Sequence, residues 1–347
     1  MSSLVHNHLR RKRVGLVLTK KKRLKPLFVA FVKLCRETGI DLVEVELDIP
    51  LEEQGPFDLI IQKVPDYLGK AVGKELGKDE ALQMLQGIKL YAKDHPGVIL
   101  LDPLEPVCNL LDRTRSYQVM KECAITSEKG IRAVVPNFVQ IDVLDIKENL
   151  MKIEEAGVSF PMISKPVIAD GSDVSHKMAV IFNKEGLKDL MPPCVIQQFV
   201  NHDARLFKVY VAGNHRYIVQ RPSIKNFYNT GAKDRETIFF LSNEMSKSYS
   251  ASYLHKLDED DDEDSSVYPD DKLVSDLLDK LERKLNLTLF GIDLIVEKGT
   301  GHHLVVDINY FPGYDGVPSA PEKITKYVHE LLDESFKREQ VEVQRAF

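Results

Sequence analysis

The sequence predicts an α/β protein whose first lobe is a mostly parallel sheet covered by helices. Two patterns predict it: short β-branched runs alternate with helical stretches over the first hundred residues, and strands then predominate toward the end. Val14–Leu18 is an apolar run of buried-strand type, followed by a basic turn and a helix over Leu27–Arg36. Asp41–Leu47 alternates with period two, Phe57–Ile61 reads as a further strand, and a helix over 79–92 leads to Val98–Leu101. This rhythm defines a first lobe at 1–110.

A central lobe at 111–200 begins with a helix over Leu110–Glu122, with Asp112 or Thr114 near its start. A second helix, Lys147–Ala156, precedes strands at Phe160–Pro166 and Met178–Phe182, joined by the polar loop Ala169–His176. Val195–Val200 is the strand that leaves this lobe. The third lobe, 201–336, holds strands at Leu206–Val211, Arg216–Arg221 and Thr237–Leu241 and an amphipathic helix over Asp271–Leu285. Two more strands, Leu287–Glu297 and Leu304–Asn309, come before a last helix over Pro321–Phe336, and 337–347 reads as a loose tail.

The chain has 347 residues, 43% hydrophobic and 29% charged, enough for a large core and a soluble surface. Its net charge of −6 disfavours a dedicated duplex-DNA binder. That average hides a split. Arg10–Arg13 and Lys20–Arg23 are basic clusters that precede the first acidic residue, while Asp258–Asp264 is seven acids in a row, without which the net charge is +1. The acidic run, with Ser265 and Ser266, reads as a solvated loop without a catalytic role. No apolar run approaches the roughly 20 residues that span a bilayer, and the N-terminus does not read as a signal peptide. Cys35, Cys108, Cys123 and Cys194 form no C-x-x-C pair, which argues against zinc and disulfides and fits a cytoplasmic protein, with a monomer as the default.

The chemistry concentrates in Leu289–Asn309. Gly299-Thr300-Gly301 between two β-branched runs is a hairpin turn signal. A hairpin symmetric about Thr300 places Asp293 opposite Asp307, and Asn309, two residues further, points to the same face. Two carboxylates facing each other inside apolar strands repel unless a cation joins them, and oxygen ligands in that arrangement suit Mg²⁺. A one-residue slip would instead leave one Asp facing solvent. The loop Asn309–Gly316 supplies glycines that let its backbone approach a ligand, although Pro312-Gly313 alone is an ordinary turn.

Asp293, Asp307, Asn309 and the run Asp307-Ile308-Asn309-Tyr310-Phe311-Pro312-Gly313-Tyr314 resemble the metal-binding signature of ATP-grasp kinases, more specifically the inositol 1,3,4-trisphosphate 5/6-kinases, also called inositol-tetrakisphosphate 1-kinases. Arg13-Val14-Gly15-Leu16 with Lys20–Lys22, Glu53–Pro56, Leu111–Arg113, Pro192–Val195, Asn201-His202, Gln220–Ser223 and Leu289–Asp293 resemble that family in the same order, covering about Arg13 to Tyr314. The resemblance implies an ATP-grasp fold with an N-terminal Rossmann-like lobe, and Mg²⁺ and ATP as cofactors. Asp293, Asp307 and Asn309 would hold Mg²⁺. Arg113, Lys165, Gln197, Gln198, Phe199, Val200, Lys208, Ser223, Ser242 and Ser246 would form the nucleotide site. Lys22, Lys63, His176, Lys208, Asn309 and the Gly313 backbone would bind an inositol polyphosphate, with Lys208, His176, Asp293 and Asp307 acting on the transferred group.

Several of these residues also have a plain reading. Lys165 lies in an apolar strand where an unpaired ammonium is costly, so a phosphate would suit it, yet a lysine there could equally lay its stem on the sheet and reach water. His176 alone would be a surface histidine, and the Ala169–His176 loop an ordinary surface loop. Lys22 and Lys63 follow two separate strands at the sheet's carboxyl edge, where α/β folds bind ligands. The reading is a kinase that moves the ATP γ-phosphoryl group to an inositol polyphosphate hydroxyl, without a nucleic-acid or membrane partner. Its alternatives are an ATP-grasp carboxylate–amine ligase and a noncatalytic inositol-phosphate binder.

Overall fold

The computed structural model describes residues 12–46, 48–63, 67, 78–228, 234–247, 249–250, 252–259, 261 and 267–346. They form two compact units. The first comprises the chain up to Glu105, the turn Val211–Arg216 and Phe311 onward; the second comprises Pro106–Tyr210 and Tyr217–Tyr310.

The first unit is built on a parallel sheet of β1 (Arg13–Val17), β2 (Asp41–Glu44), β3 (Leu59–Gln62) and β4 (Ile99–Leu101), in the order β2-β1-β3-β4. Val14, Leu16, Leu59, Ile60 and Ile61 are buried, as a sheet covered by helices requires. The helix Pro26–Glu37 starts on a proline at its first position, where the missing N–H costs nothing, and buries Phe28, Phe31 and Cys35. The last helix, Ala320–Ala346, packs against it, and His329 meets Thr38 at 2.8 Å. The sequence reading therefore needs two corrections. This helix packs on the helix Pro26–Glu37 of the first unit rather than closing a third lobe, and it runs on through Ala346 instead of ending in a loose tail at 337, since no Gly or Pro after Lys337 interrupts it.

The second unit holds two sheets. One has five strands in the order β13-β9-β8-β10-β7: β7 (Phe138–Ile141), β8 (Met162–Pro166), β9 (Lys177–Ile181), β10 (Cys194–Gln198) and β13 (Ile238–Leu241). Side chains alternate between its two faces. Met162, Ala179, Ile181, Cys194 and Ile196 pack with Ile153 on one face, and Ile163, Val180, Phe182 and Phe199 with Phe227 on the other. The other sheet has six strands in the order β12-β11-β14-β15-β6-β5: β5 (Ile125–Thr126), β6 (Arg132–Val134), β11 (Arg205–Ala212), β12 (His215–Pro222), β14 (Leu289–Val296) and β15 (His303–Tyr310). Strands β5 to β7, two to four residues each, are too short to show a period in the sequence. The helix Asp271–Leu285, capped by Asp270 on the Leu273 N–H, buries Leu273, Val274, Leu277, Leu278, Leu281 and Leu285 along one stripe.

The acidic run is not simply a solvated loop. Asp258 pairs with Lys225, and the Asp261 side chain is only 1% exposed. Arg10, Arg11, Asp260 and 262–266 lie outside the described residues.

Candidate active site

Asp293 on β14 and Asp307 on β15 are direct cross-strand partners, although the residues nearest the turn, from Val296 opposite His303 to Leu294 opposite Val305, pair one residue off the expected symmetry about Thr300. The pairing shifts by one residue between Asp293 and Leu294, so that Leu294 faces Val305 and Val306 is left over as a bulge. That shift has a use. The spare Val306 carbonyl accepts from Lys165 Nζ at 2.9 Å and from the Tyr117 hydroxyl at 2.8 Å. Gly299 and Gly301 take φ of 84° and 70° in the turn, a conformation that suits glycine.

Lys208 on β11 places its ammonium 3.0 Å from both oxygens of Asp293. Burial, reinforced by the Asp307 charge, raises the Asp293 carboxyl above its ordinary range although Lys208 pulls the other way. Burial also works against the Lys208 ammonium, but Asp293 outweighs it and the lysine titrates higher than usual. Arg113, buried at the start of the helix Arg113–Glu122, lies 3.9 Å from Asp307 and donates to the Pro166 and Ile168 carbonyls. Its placement follows from Asp112, which caps this helix on the Arg115 N–H.

Lys165 does not snorkel. It is 7% exposed and donates to Tyr117 Oη at 2.8 Å, Gln197 Oε1 at 2.7 Å and the Val306 carbonyl. The register of β8 and β10 makes Lys165 and Gln197 diagonal neighbours on one sheet face. Burial among neutral oxygens brings the ammonium down to about 7. Gln197 Nε2 and Arg113 Nε are buried without a hydrogen-bond partner, so this cluster has donors to spare, a balance that an anion would correct. Tyr117 is the residue that sequence reasoning missed. The available signal was its spacing, four positions after Arg113 and therefore on the same helix face.

Other expected residues divide into groups. His176 Nδ1 lies 3.2 Å from Ser242 Oγ, and the Ser246 N–H donates to the Ser242 carbonyl, so these three gather beside the sheet edge β9–β13. Burial lowers the His176 pKa. Ser223 Oγ meets His202 Nε2 at 2.7 Å, in a different contact group. Gln198 turns its side chain to Ser159 and the Pro161 carbonyl, and Phe199 packs into the core, so both side chains are taken up by the fold itself. Asn309 is exposed opposite Gly291. In the first unit, Lys22 sits in the short helix Lys20–Arg23 after β1, and Lys63 follows the adjacent β3, donating to the Phe311 carbonyl at 2.7 Å. Gly313 is exposed in the loop beyond Phe311. Among the described residues no group of three or more His, Cys, Asp or Glu side chains could hold a metal by itself.

Residues 127–330 match the inositol 1,3,4-trisphosphate 5/6-kinase ATP-grasp domain, and residues 13–107 match the pre-ATP-grasp domain of the same enzymes. The chain belongs to the inositol 1,3,4-trisphosphate 5/6-kinase family. It is similar to the inositol-tetrakisphosphate 1-kinase of Danio rerio, 40% identical over 92% of this chain and 79% of the relative. The Xenopus laevis enzyme of that name is also 40% identical, over 96% and 83%, and inositol-tetrakisphosphate 1-kinase 1 of Zea mays is 32% identical over 92% and 88%. Among solved structures, a RimK-domain ATP-grasp protein from Sphaerobacter thermophilus aligns with a TM-score of 0.55 at 13% identity, covering 91% of this chain and 99% of that one. The D-alanine–D-alanine ligase of Bacillus anthracis aligns at 0.52 and 12% identity, over 96% and 100%. At such identities these neighbours bear out the expected ATP-grasp fold and nothing more. The ATP-grasp kinase family carries ATP use with it.

Proposed function

We propose that the chain is a Mg²⁺- and ATP-dependent kinase that transfers the γ-phosphoryl group to a free hydroxyl of an inositol polyphosphate, such as inositol 1,3,4-trisphosphate or inositol 3,4,5,6-tetrakisphosphate. One observation supports it most: two acids face each other across adjacent strands, with a lysine already on one of them. The donor set fits magnesium. Asp293 and Asp307 offer carboxylate oxygens and Asn309 an amide oxygen, hard ligands whose remaining positions water and phosphate complete. The raised Asp293 carboxyl marks a buried pair that gains from a further positive charge. Bound there, the ion would neutralise the β- and γ-phosphate oxygens.

The chain's own residues supply positioning and charge, which is most of what phosphoryl transfer asks of a protein. Lys208 offsets part of the burial that raises the Asp293 carboxyl and brings an ammonium to the site of transfer. Arg113 brings a guanidinium beside Asp307, and Lys165 offers its ammonium to nucleotide phosphate. Ser223, Ser242, Ser246 and the backbone of 197–200 hold the nucleotide. His176, oriented by Ser242, and Asn309 bind phosphate and hydroxyl oxygens of the inositol. In the first unit, Lys22, Lys63 and the Gly313 backbone are proposed ligands of the inositol phosphates, at the carboxyl edge of the parallel sheet. The four cysteines are free, which suits the reducing cytoplasm expected from the sequence, and no helix among the described residues is long and apolar enough to cross a membrane.

The test is to incubate the protein with Mg-ATP and a panel of inositol tris-, tetrakis- and hexakisphosphates and separate the products. A more highly phosphorylated inositol, formed without any added amino acid, is expected. ATP consumption that requires a carboxylate and an amine would establish the ligase instead. Nucleotide and inositol phosphate binding without turnover would leave a binding protein.

A further inference from the structure

Residues 201–204, which follow the strand exit 197–200, are stapled to 223–227 by a polar network at whose far end stands Asp261 of the acidic run. Asn226 Oδ1 accepts from the backbone N–H groups of His202 at 3.1 Å and Asp203 at 3.0 Å. Its amide NH₂ donates to Asp203 Oδ1 at 2.7 Å and Asp261 Oδ1 at 3.1 Å. Two carboxylates on the nitrogen side therefore dictate which way this amide faces, and so aim its oxygen at the two backbone N–H groups. Lys298 Nζ, 2.8 Å from Asp203 and 3.9 Å from Asp261, neutralises both acids, and its own N–H donates to the Asn201 carbonyl. Tyr228 donates its hydroxyl to Asp261 at 2.5 Å.

The segment so held is the one whose neighbours carry the nucleotide. His202 contacts Ser223 through Nε2 and the Val200 carbonyl through Nδ1, at 2.6 Å. Ser223 N–H donates to the Ala204 carbonyl, and Phe227 N–H to Asn201 Oδ1. Asp203 and Ala204 both take φ of 52°, a left-handed pair that an unsupported loop would seldom keep. A run of seven acids would ordinarily repel itself into water, yet Asp261 is turned inward and almost fully covered. Such burial is costly unless the carboxylate serves its partners.

We propose that Asp261 is a positioning residue that acts through Asn226 to set the 200–204 segment and thereby tunes affinity for the adenine nucleotide. This rests on the nucleotide site proposed above. On this proposal its influence travels through the Asn226 amide rather than through contact with the nucleotide.

The test is calorimetric binding of a non-hydrolysable ATP analogue to the full chain, alongside the KM values for ATP and for inositol phosphate. Asp261→Ala is expected to weaken the analogue about tenfold and raise the KM for ATP alike, with the KM for inositol phosphate within twofold. Asp261→Asn keeps an oxygen acceptor for the Asn226 amide and should recover most of the affinity. In an Asn226→Ala background, Asp261→Ala should add nothing further. Tyr228→Phe, a milder change at a half-exposed ring, should shift the same affinity about twofold in the same direction and serves if Asp261→Ala does not fold. Unchanged analogue affinity in Asp261→Ala, fully additive effects with Asn226→Ala, or an equal rise in both KM values would each overturn the proposal. If the wild-type chain does not bind the analogue, the nucleotide site itself is wrong and this inference falls with it.

Discussion

Two lysines of the second unit, Lys165 and Lys208, lie in strands with apolar neighbours and are both largely covered, yet their surroundings drive them in opposite directions. Lys165 is ringed by neutral oxygens, from Tyr117, Gln197 and Val306, and titrates far below its ordinary value. Lys208 faces the Asp293 carboxylate and titrates above its own. Burial alone does not decide a lysine's charge; the formal charge of what it touches does. Lys165 therefore gives up its proton easily among neutral oxygens, whereas Lys208 keeps its own against a carboxylate.

The largest effect that separates the two regions is expected on the acids themselves. Asp293→Ala or Asp307→Ala should lower kcat by about 10³-fold while the far-UV circular dichroism stays unchanged; full activity in either would break the comparison at its root. Lys208→Met should cost about 10²-fold in kcat. Without its ammonium the Asp293 carboxyl rises further, so the acid limb of the pH–rate profile should move to higher pH, and an unmoved limb would detach Lys208 from Asp293.

Lys165→Met is expected to show in stability before it shows in pH–rate behaviour. Removing the ammonium strands two buried acceptors, at a cost of about 1–3 kcal/mol. The sign of the pH effect follows from linkage. The folded chain releases this proton near pH 7 and the unfolded chain near the ordinary lysine value of 10.5, so the unfolded state binds more protons in that window. Stability contributed by this group therefore falls as pH drops from about 10 toward 7 and levels off below. Urea midpoints at pH 9.5 and 7 should show that slope in the wild type and its absence in Lys165→Met; parallel slopes would contradict the assigned titration. The smallest effect is expected from Ser242→Ala, which removes both the His176 partner and a proposed nucleotide contact, and should raise the KM for inositol phosphate and for ATP about fivefold each. No change would mean that something else orients the histidine.

The sequence disclosed the acid pair only through an assumed turn centre at Thr300: the turn itself sets a register one residue off, and the bulge at Val306 restores Asp293 opposite Asp307. It did not disclose the bulge beside Asp293, since one extra residue can be absorbed anywhere along β15 without altering the apolar pattern. Tyr117 escaped for a different reason. Its hydroxyl meets Lys165 and Val306 only after a helix and two strands from distant parts of the chain have packed. The parallel first sheet was legible in its β-branched runs, whereas β5 to β7 are too brief to carry any period. Composition misled most in the acidic run, where the local charge density predicted a fully solvated loop and Asp261 instead finds Asn226, Tyr228 and Lys298.

The central claim is that Asp293 and Asp307 jointly hold a divalent ion with the nucleotide. Calorimetric titration of a non-hydrolysable ATP analogue, with and without Mg²⁺, tests it most directly in wild type and in the double variant Asp293→Asn with Asp307→Asn. Magnesium is predicted to tighten binding at least tenfold in the wild type and to have no effect on the double variant. An equal magnesium enhancement in both proteins would contradict the account.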